Sequence, residues 1–232
     1  MSKTPPVELG FSRQYDRGHS EQYLERHQEG WGRRLSRRLS LWRDEQVARH
    51  ALSLADDPGL VLDLPCGAGR FWPVLAEEPN RMILAAATSA DMLAVARASQ
   101  SADVVARVES FVTSASAIDL GANAVDCIFC IRLLHHIQSA ESRRVILREF
   151  HRVTRDTVIL SLWVDGNYKA WKRRRLERQR AEEGRIEQNR FVVPRADIES
   201  EFHQAGFRIL GHKDFLPGYA MWRTYILRKK EY

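Results

Sequence analysis

Short apolar segments alternate with amphipathic segments through the middle of the chain. The apolar segments predict five strands, at Leu60–Leu64, Arg81–Thr88, Val108–Thr113, Val125–Leu133 and Thr157–Trp163. Helical patterns lie between them, at Phe71–Glu77, in ADMLAVARAS after a capping Ser89, and at Ala140–Val153. Strands that alternate with helices predict a parallel sheet with helices on both faces.

The two ends of the chain depart from this alternation. Residues 20–54 have an arginine-rich helical pattern, which a turn at Asp56–Gly59 ends. Residues 165–190 are polar and basic, a helix follows Pro194, and FRILGHKDF and WRTYILRKK predict a closing pair of antiparallel strands. We therefore predict an N-terminal helical cap or lid over residues 1–55 and a main domain over residues 56–232, with a basic helical insert at about 165–192.

The loop after the first strand, in VLDLPCGAGRF, is the strongest indication of a ligand site. Ligands of open parallel sheets lie at the carboxyl ends of the strands. Gly67 and Gly69 allow a tight bend and a close approach to a ligand, and Asp63 can hold a cationic or hydroxyl-bearing group. A dinucleotide fingerprint would need glycine where this chain has Trp72, and the absence of a following Gly-Lys-Ser/Thr excludes a P-loop.

The same loop resembles motif I of the class I S-adenosylmethionine-dependent methyltransferases, commonly written VLDLGCGTG. Three later segments, SADMLAVAR, AVDCIFCIRLLHHI and LREFHRVTRDTVILS, resemble the family's further motifs in the same order and at about the same spacing. The resemblance covers about Leu60 to Lys229 apart from the insert. It implies a Rossmann-like α/β fold with a seven-stranded mixed sheet in the order 3-2-1-4-5-7-6, only the last strand antiparallel, and S-adenosylmethionine as cofactor.

By this resemblance, the cofactor site lies at the ends of the first strands and in the loops that follow. The expected cofactor-binding residues are Asp63, Pro65, Cys66, Gly67, Gly69, Ala87, Thr88, Ser89, Met92, Ser116, Ala117 and Arg132. Pro65 replaces a family glycine, and Ala87 and Ser116 stand where acids usually hold the ribose and the adenine. Losing both acids without compensation would weaken binding by roughly two to four decades. Hydroxyl groups of Thr88, Ser89 and Ser116 are the candidate replacements.

Methyl transfer requires the protein mainly to hold donor and acceptor in line, so neither a triad nor a metal cluster is expected. The candidate catalytic residues are His135 and His136, which either act as base for a hydroxyl acceptor or line the cofactor pocket. The candidate substrate-binding residues are Arg132, Tyr168, Trp171, Lys172, Arg173, Arg174 and Arg175. Arginine suits bidentate phosphate contacts, although the same cluster would also form a solvated helix face.

Composition narrows the choice of partners without naming one. The 232 residues carry a net charge of +6 and three cysteines, which favours an anionic partner and a reducing compartment. We find neither a signal-peptide pattern nor an apolar run long enough to cross a bilayer, so we expect a cytoplasmic protein, with peripheral membrane contact as one option. Cys127 and Cys130 form a CxxC without a second ligand pair, which we interpret as two small apolar residues of a strand. The oligomeric state does not follow from the sequence.

Three functions remain open from the sequence. The first, which we favour, is methylation of a small or lipid-linked anionic acceptor, such as a phosphorylated sugar, a glycolipid or a polysaccharide end. The second is methylation of RNA, which the basic and aromatic residues fit, although the sequence contains no RNA-binding module and no NPPY-like tetrapeptide. The third is a non-enzymatic regulator that keeps the fold, which the missing acids at Ala87 and Ser116 motivate.

Overall fold

A seven-stranded sheet forms the centre of the structure, a computed structural model that describes residues 31–182 and 189–230. The strands are β1 (Leu60–Asp63), β2 (Met82–Ala87), β3 (Val108–Val112), β4 (Val125–Cys130), β5 (Thr154–Trp163), β6 (Phe207–Asp214) and β7 (Trp222–Lys229). Their order is β3-β2-β1-β4-β5-β7-β6. β1 to β5 pair in parallel, whereas β7 is antiparallel to both of its neighbours. The predicted strand order and the single antiparallel strand are confirmed.

Helices connect the strands and cover both faces of the sheet. Within the described ranges they are α1 (Trp31–Leu54), α2 (Trp72–Leu75), α3 (Ala90–Ala98), α4 (Ala102–Val105), α5 (Ala140–Val153), α6 (Tyr168–Glu182) and α7 (Arg195–Gln204). A single turn of 3-10 helix spans Leu134–His136. α5 matches its prediction, α2 is shorter than the predicted 71–77, and α4 was not predicted.

Two predicted strand boundaries are wrong, for local reasons. The strand predicted at 125–133 ends at Cys130, because Arg132 has a positive φ of 65° that an extended strand does not contain. His135 and His136 therefore lie in the 3-10 turn rather than at the strand end. β5 begins at Thr154 rather than Thr157, directly after α5, because the chain pairs with β4 from that residue onward.

Alternating side chains divide the core between the two faces of the sheet. One face carries Leu62 and Ile128 and is covered by α5 and α7. The other face carries Val61 and Phe129 and is covered by α2 and by the second half of α1. Residues 1–30 lie outside the described residues, so the division into a cap at 1–55 and a domain at 56–232 stays a prediction.

A buried ion pair joins α5 to α7 and positions the loop that follows the 3-10 turn. The Arg143 guanidinium donates to both carboxylate oxygens of Glu201, at 2.9 and 2.6 Å, and both side chains are almost fully buried. Its remaining nitrogen donates to the carbonyl oxygens of Ile137 and Gln138. The pair therefore fixes the segment that carries the two histidines against the helices of one sheet face.

The basic insert leaves the sheet at the end of β5 and returns beside it. α6 forms its first part, and the Val193 N–H donates to the Trp163 carbonyl at 2.9 Å where the chain returns. Residues 183–188 of the insert lie outside the described residues. None of the helices in the described ranges is both long and apolar enough to cross a bilayer.

The CxxC pair of β4 is part of the core. Cys127 and Cys130 are both buried, and they belong to the apolar clusters on opposite faces of the sheet. The two thiols therefore cannot share a metal ion. Across residues 31–182 and 189–230, we find no group of three or more His, Cys, Asp or Glu side chains that could hold one.

Candidate active site

Two glycines in the loop after β1 have left-handed backbones for different reasons. Gly67 has a φ of +54° and Gly69 a φ of +69°. A Cβ on Gly69 would lie 2.8 Å from the buried ring of Trp72, so packing requires glycine there. A Cβ on Gly67 would meet no described atom within 4 Å beyond its chain neighbours. The Gly67 backbone therefore borders open space at the carboxyl edge of the sheet, where a ligand can approach it.

The neighbours of these glycines complete the loop without adding a nucleophile. The Leu64–Pro65 peptide bond is cis, and Pro65 is half-buried. The Cys66 thiol is buried, and burial raises its pKa, so it stays protonated at neutral pH. Both residues are predicted cofactor-site residues, and their positions favour a role in shaping the loop.

Asp63 ends β1 with a carboxylate that is buried and only partly satisfied. The residue is 2% exposed, and its Oδ2 has no hydrogen-bond partner among the described residues. Burial raises the pKa of Asp63 to about 8. The Trp72 indole N–H opposes this rise, although it does not reach the geometry of a hydrogen bond. A cationic ligand beside this carboxylate would favour its ionised form.

Hydroxyl groups rather than acids stand at the ends of β2. Ala87 is buried and Thr88 is exposed. The Ser89 hydroxyl accepts a hydrogen bond from the Asp91 N–H at 3.2 Å and so caps α3, as predicted. Met92 is half-buried and packs against the apolar cluster beneath the loop. Of the predicted ribose-side groups, the Thr88 hydroxyl is therefore the one most exposed to an incoming ligand.

The loop after β3 also presents hydroxyl groups rather than acids. The Ser116 hydroxyl lies 2.9 Å from that of Ser114, and Ala117 is exposed beside it. The Ala117 carbonyl accepts from the Thr113 hydroxyl, which in turn accepts from the Asp119 N–H. The predicted adenine end thus offers hydroxyl and backbone groups, and the Asp119 carboxylate is on an exposed residue at its margin.

Beyond β4, Arg132 joins a charged cluster that sequence reasoning missed. Its guanidinium lies 2.6 Å from the Asp44 carboxylate of α1, and Arg70 contacts the same oxygen at 2.6 Å. The Arg132 N–H donates to the Ser161 hydroxyl at 3.0 Å, which holds the left-handed backbone. Asp44 is 88 residues from Arg132 in the chain, and no motif connects the two. The arrangement therefore becomes visible only when α1 is docked on the sheet.

A pocket opens beside this cluster, between α1 and the ends of β4, β5 and β7. Its lining residues are Asp44, Val47, Ala48, Phe71, Ile131, Arg132, Ser161, Phe215, Trp222 and Thr224. Most of these side chains are apolar or aromatic, and the Arg132 guanidinium lies 5.1 Å above the Trp222 ring. The pocket thus combines apolar walls with one charged end.

The two predicted catalytic histidines have different surroundings. His135 is 2% exposed, and its ring contacts those of His136, Trp163 and Trp222. His136 is half-buried, and its Nδ1 lies 2.8 Å from the Asn189 carbonyl oxygen. A carbonyl only accepts, so Nδ1 carries the proton and Nε2 of the neutral ring carries the lone pair.

Burial keeps both rings neutral. The pKa of His135 falls to about 2, mainly through burial, with smaller contributions from His136 and from nearby arginines. Burial also lowers the pKa of His136, against the opposing effect of the Asn189 carbonyl. Neutral histidine can accept a proton, and the greater exposure of His136 makes it the better candidate base.

α6 divides the predicted substrate-binding residues between its faces. Arg173 points inward, 4.8 Å above the Trp163 ring and paired with Glu177, and donates to the Arg190 carbonyl. Arg174 pairs with Asp165. The other four predicted residues are exposed: Tyr168, Trp171, Lys172 and Arg175. The predicted rim therefore separates into one inward arginine and an outward surface.

The Trp163 ring is a second feature that sequence reasoning missed. Arg173 and Arg190 both lie over it, at 4.8 and 5.8 Å, and His135 and Trp222 contact it from other sides. Its indole nitrogen is buried without a hydrogen-bond partner among the described residues. Trp163 ends β5, and an aromatic residue at a strand end next to the basic insert was the signal that could have pointed to it.

S-adenosylmethionine, the cofactor that the sequence resemblance implies, fits the β1 edge in part. Asp63 offers an unpartnered buried oxygen to a cationic amino-acid end, and Gly67 leaves its backbone open to a ligand. Ala87 and Ser116 leave the adenosine end to hydroxyl and backbone groups. The donor set therefore suits the cofactor, with weaker contacts to the nucleoside than charged residues would provide.

Comparison with solved structures gives one fold. Similar structures include the magnesium protoporphyrin IX methyltransferase of Synechocystis PCC 6803 with bound SAH, at 15% identity and a TM-score of 0.69 over 96% of this chain and 95% of that chain. A possible histamine N-methyltransferase of Thermotoga maritima has 14% identity and a TM-score of 0.61 over 95% and 98%. The 4+2 cyclase SpnF has 14% identity and a TM-score of 0.61 over 80% of each chain. At these identities the likeness shows the fold alone, and the fold serves more than one reaction.

A family model gives a further comparison, over the part of the chain from β1 into β5. A search of curated protein sequences returned no match. Residues 61–157, which run from β1 into β5 and include the glycine loop and both histidines, match the family model of a methyltransferase domain. Together with the sheet order of the fold, this match supports a class I methyltransferase that uses S-adenosylmethionine.

Proposed function

We propose that the acceptor of this methyltransferase is an anionic small or lipid-linked molecule, such as a phosphorylated sugar, a glycolipid or a polysaccharide end. The observation that carries the proposal is the charged end of the pocket. Two arginines, Arg70 and Arg132, converge there on the single carboxylate of Asp44. Guanidinium groups bind carboxylate and phosphate oxyanions with paired hydrogen bonds, so two of them at one end of the pocket favour an anionic acceptor.

The surroundings of the pocket support the same charge preference. Arg173 and Arg190 lie over Trp163, next to the histidines, and Arg132 lies over Trp222. An aromatic face holds a guanidinium in a fixed orientation, so these cations are preorganised for an anion. The Asp44 carboxylate already accepts from both arginines, which indicates that the cluster has the geometry to bind an oxyanion.

The main task of the protein in methyl transfer is to hold and orient the acceptor and the cofactor. When bound, S-adenosylmethionine supplies a methyl group already activated on a sulfonium. The arginines orient the acceptor, and the apolar pocket walls exclude water around it. His136, whose neutral ring has its lone pair on Nε2, is the proposed base for a hydroxyl acceptor. His135 packs the base of this site and keeps the ring of His136 in place.

The identity of the acceptor is tested with labelled methyl groups. Purified protein is given methyl-labelled S-adenosylmethionine with sugar phosphates, phosphorylated glycolipids, their neutral counterparts and transfer RNA. We expect transfer to anionic acceptors and little to the neutral ones. Transfer to RNA alone would replace the proposal with RNA methylation. If the protein binds the cofactor but transfers no methyl group to any of these acceptors, the proposal is contradicted.

The charged cluster is tested with Arg132→Gln. Loss of one charge-assisted hydrogen bond should raise the acceptor KM by about tenfold or more, with the cofactor Kd unchanged. Arg208→Gln is the matched control, since Arg208 is an exposed arginine near the start of β6, where it pairs with the end of β7 that is far from the pocket. A weaker cofactor Kd with an unchanged acceptor KM would assign Arg132 to the cofactor instead.

The base is tested with His136→Gln, which keeps a polar side chain of similar length. We expect kcat to fall by about 100-fold or more for a hydroxyl acceptor, while the cofactor Kd stays within experimental error. An unchanged kcat would show that His136 has only a structural role at the site.

A further inference from the structure

Large apolar side chains are exposed on three neighbouring segments around the pocket. Leu39 and Trp42 on α1 are 58% and 56% exposed, and Tyr168 and Trp171 on α6 are 50% and 56% exposed. Leu216 and Tyr219, in the loop between β6 and β7, are 45% and 47% exposed. We call these six residues the aromatic rim: Leu39, Trp42, Tyr168, Trp171, Leu216 and Tyr219.

Hydrogen bonds and ring contacts hold the three segments together. The Arg43 guanidinium of α1 donates to the Phe215 carbonyl at 2.8 Å, which joins α1 to the loop. The Tyr168 N–H donates to the Gly218 carbonyl at 3.0 Å, and the Tyr168 and Tyr219 rings stack at 5.7 Å. The aromatic rim is therefore carried by three segments that are bonded to one another.

The aromatic rim lies at the opening of the acceptor pocket. Phe215 and Trp222, at the two ends of the rim loop, line that pocket, and so does Asp44, two residues after Trp42. In α1, Leu39, Trp42 and Arg43 lie three and four residues apart and so share one side of the helix. A surface pressed against the aromatic rim would therefore face the pocket.

Positive charge borders the aromatic rim along α6. The helix sequence YKAWKRRRLERQRAE contains seven Lys or Arg residues and two Glu residues. Arg173 is turned inward and paired with Glu177, but Lys169, Lys172 and Arg175 are exposed. Lys172 and Arg175 follow Tyr168 by four and seven residues, so they continue the side of the helix that carries Tyr168 and Trp171.

Exposed Trp and Tyr side chains next to Lys and Arg are typical of surfaces that lie in the headgroup region of a bilayer. The aromatic rings enter the boundary between headgroups and acyl chains, and the cations attract anionic lipids. We propose that the aromatic rim and the exposed cations of α6 dock this protein on an anionic lipid bilayer, with the pocket opening toward the membrane. This interaction does not depend on the acceptor, and it holds equally if the acceptor is soluble.

The test is sedimentation with vesicles of phosphatidylcholine alone or mixed with phosphatidylglycerol. The wild type should sediment with the mixed vesicles and hardly with the neutral ones. Lys172→Gln combined with Arg175→Gln should weaken that partitioning about 30-fold. Trp42→Ser combined with Trp171→Ser should weaken it about tenfold or more. Raised salt should reduce the difference between the wild type and the cation variant, because it screens the charges, and should leave the difference between the wild type and the tryptophan variant unchanged.

Two matched controls separate docking from general charge and apolarity. Met82→Ser removes a side chain that is 60% exposed at the amino end of β2, whereas the pocket lies at the carboxyl ends of the parallel strands. Arg148→Gln combined with Arg208→Gln removes the same charge from other exposed positions. Both controls should bind vesicles like the wild type, and all variants should keep the wild-type Tm because the changed side chains are exposed.

Three outcomes would overturn the proposal. The first is a wild type that does not sediment with anionic vesicles at low salt. The second is binding that survives both aromatic rim and cation variants. The third is that the aromatic rim variants leave vesicle binding unchanged but abolish self-association or transfer RNA binding of the wild type. That result would assign the surface to a second copy of the chain or to RNA.

Discussion

Cofactor affinity should depend on pH through the ionisation of the Asp63 carboxylate. In the unliganded protein its pKa is about 8, because it is buried. About a tenth of the molecules are then ionised at neutral pH. If the ammonium group of the cofactor lies beside Asp63, binding requires the ionised form. Cofactor affinity should therefore rise by nearly tenfold per pH unit between about pH 6 and about pH 7, and the rise should become smaller as the pH approaches the pKa.

Calorimetric titration of S-adenosylmethionine measures both the slope and its cause. Near neutral pH, binding to the wild type should release about 0.9 protons, counted from the heats in buffers of different ionisation enthalpy. Asp63→Asn should bind more weakly, with no pH slope over this range and no proton release. A wild type without slope or proton release, or an Asn variant with the same slope, would refute the assignment of Asp63.

The same carboxylate should affect stability, and the sign follows from its raised pKa. The folded protein holds a proton that the unfolded chain loses at about pH 4, so unliganded stability falls as pH rises from there to about 8. The fall is at most about 1.4 kcal/mol per pH unit for this group. Asp63→Asn removes it, so the variant should become more stable relative to the wild type across that window, as measured by urea unfolding.

Two further predictions concern packing. Gly67→Ala should lower the unfolding free energy by about 1 kcal/mol, because Gly67 has a positive φ, and should weaken cofactor binding about tenfold or more. Gly69→Ala should lower the unfolding free energy by about 1–3 kcal/mol more, through its contact with Trp72. Urea unfolding measures the stability and calorimetry the cofactor Kd, and equal behaviour of the two variants would contradict these roles. Glu201→Gln should lower the unfolding free energy by about 3–5 kcal/mol, because Arg143 is left buried without its counter-charge; a loss below about 1 kcal/mol would show that water reaches the pair.

The sheet could be predicted because its signals are local. Each strand is a short apolar run, Ser89 caps its helix, and Pro194 and Gly206 bound another, so the order of elements follows from neighbouring residues. Residues close in sequence also form the glycine loop, which is why Asp63, Gly67 and Gly69 could be named. The strand boundary at Cys130 could not be predicted, because the positive φ of Arg132 depends on its bond to Ser161 of the next strand.

The acceptor side of the site depends on contacts between distant parts of the chain. Asp44 meets Arg70 and Arg132 only because α1 packs across the sheet. A run such as KRRR does not reveal which arginine points inward, since this depends on the docking of α6 against Trp163. The net charge therefore predicts an anionic partner, whereas the residues proposed to contact it could be named only from the fold.

A crystal structure with bound S-adenosylhomocysteine would locate the cofactor site. We expect the ligand to lie over the Gly67 backbone, with its amino-acid end at Asp63 and its adenine beside Ser116 and Ala117. We also expect hydroxyl or backbone groups to contact the ribose near Ala87, with the pocket at Arg132 left open for the acceptor. A ligand bound elsewhere, or a Gly67 loop that stays empty at saturating ligand, would show that the β1 loop is not the cofactor site.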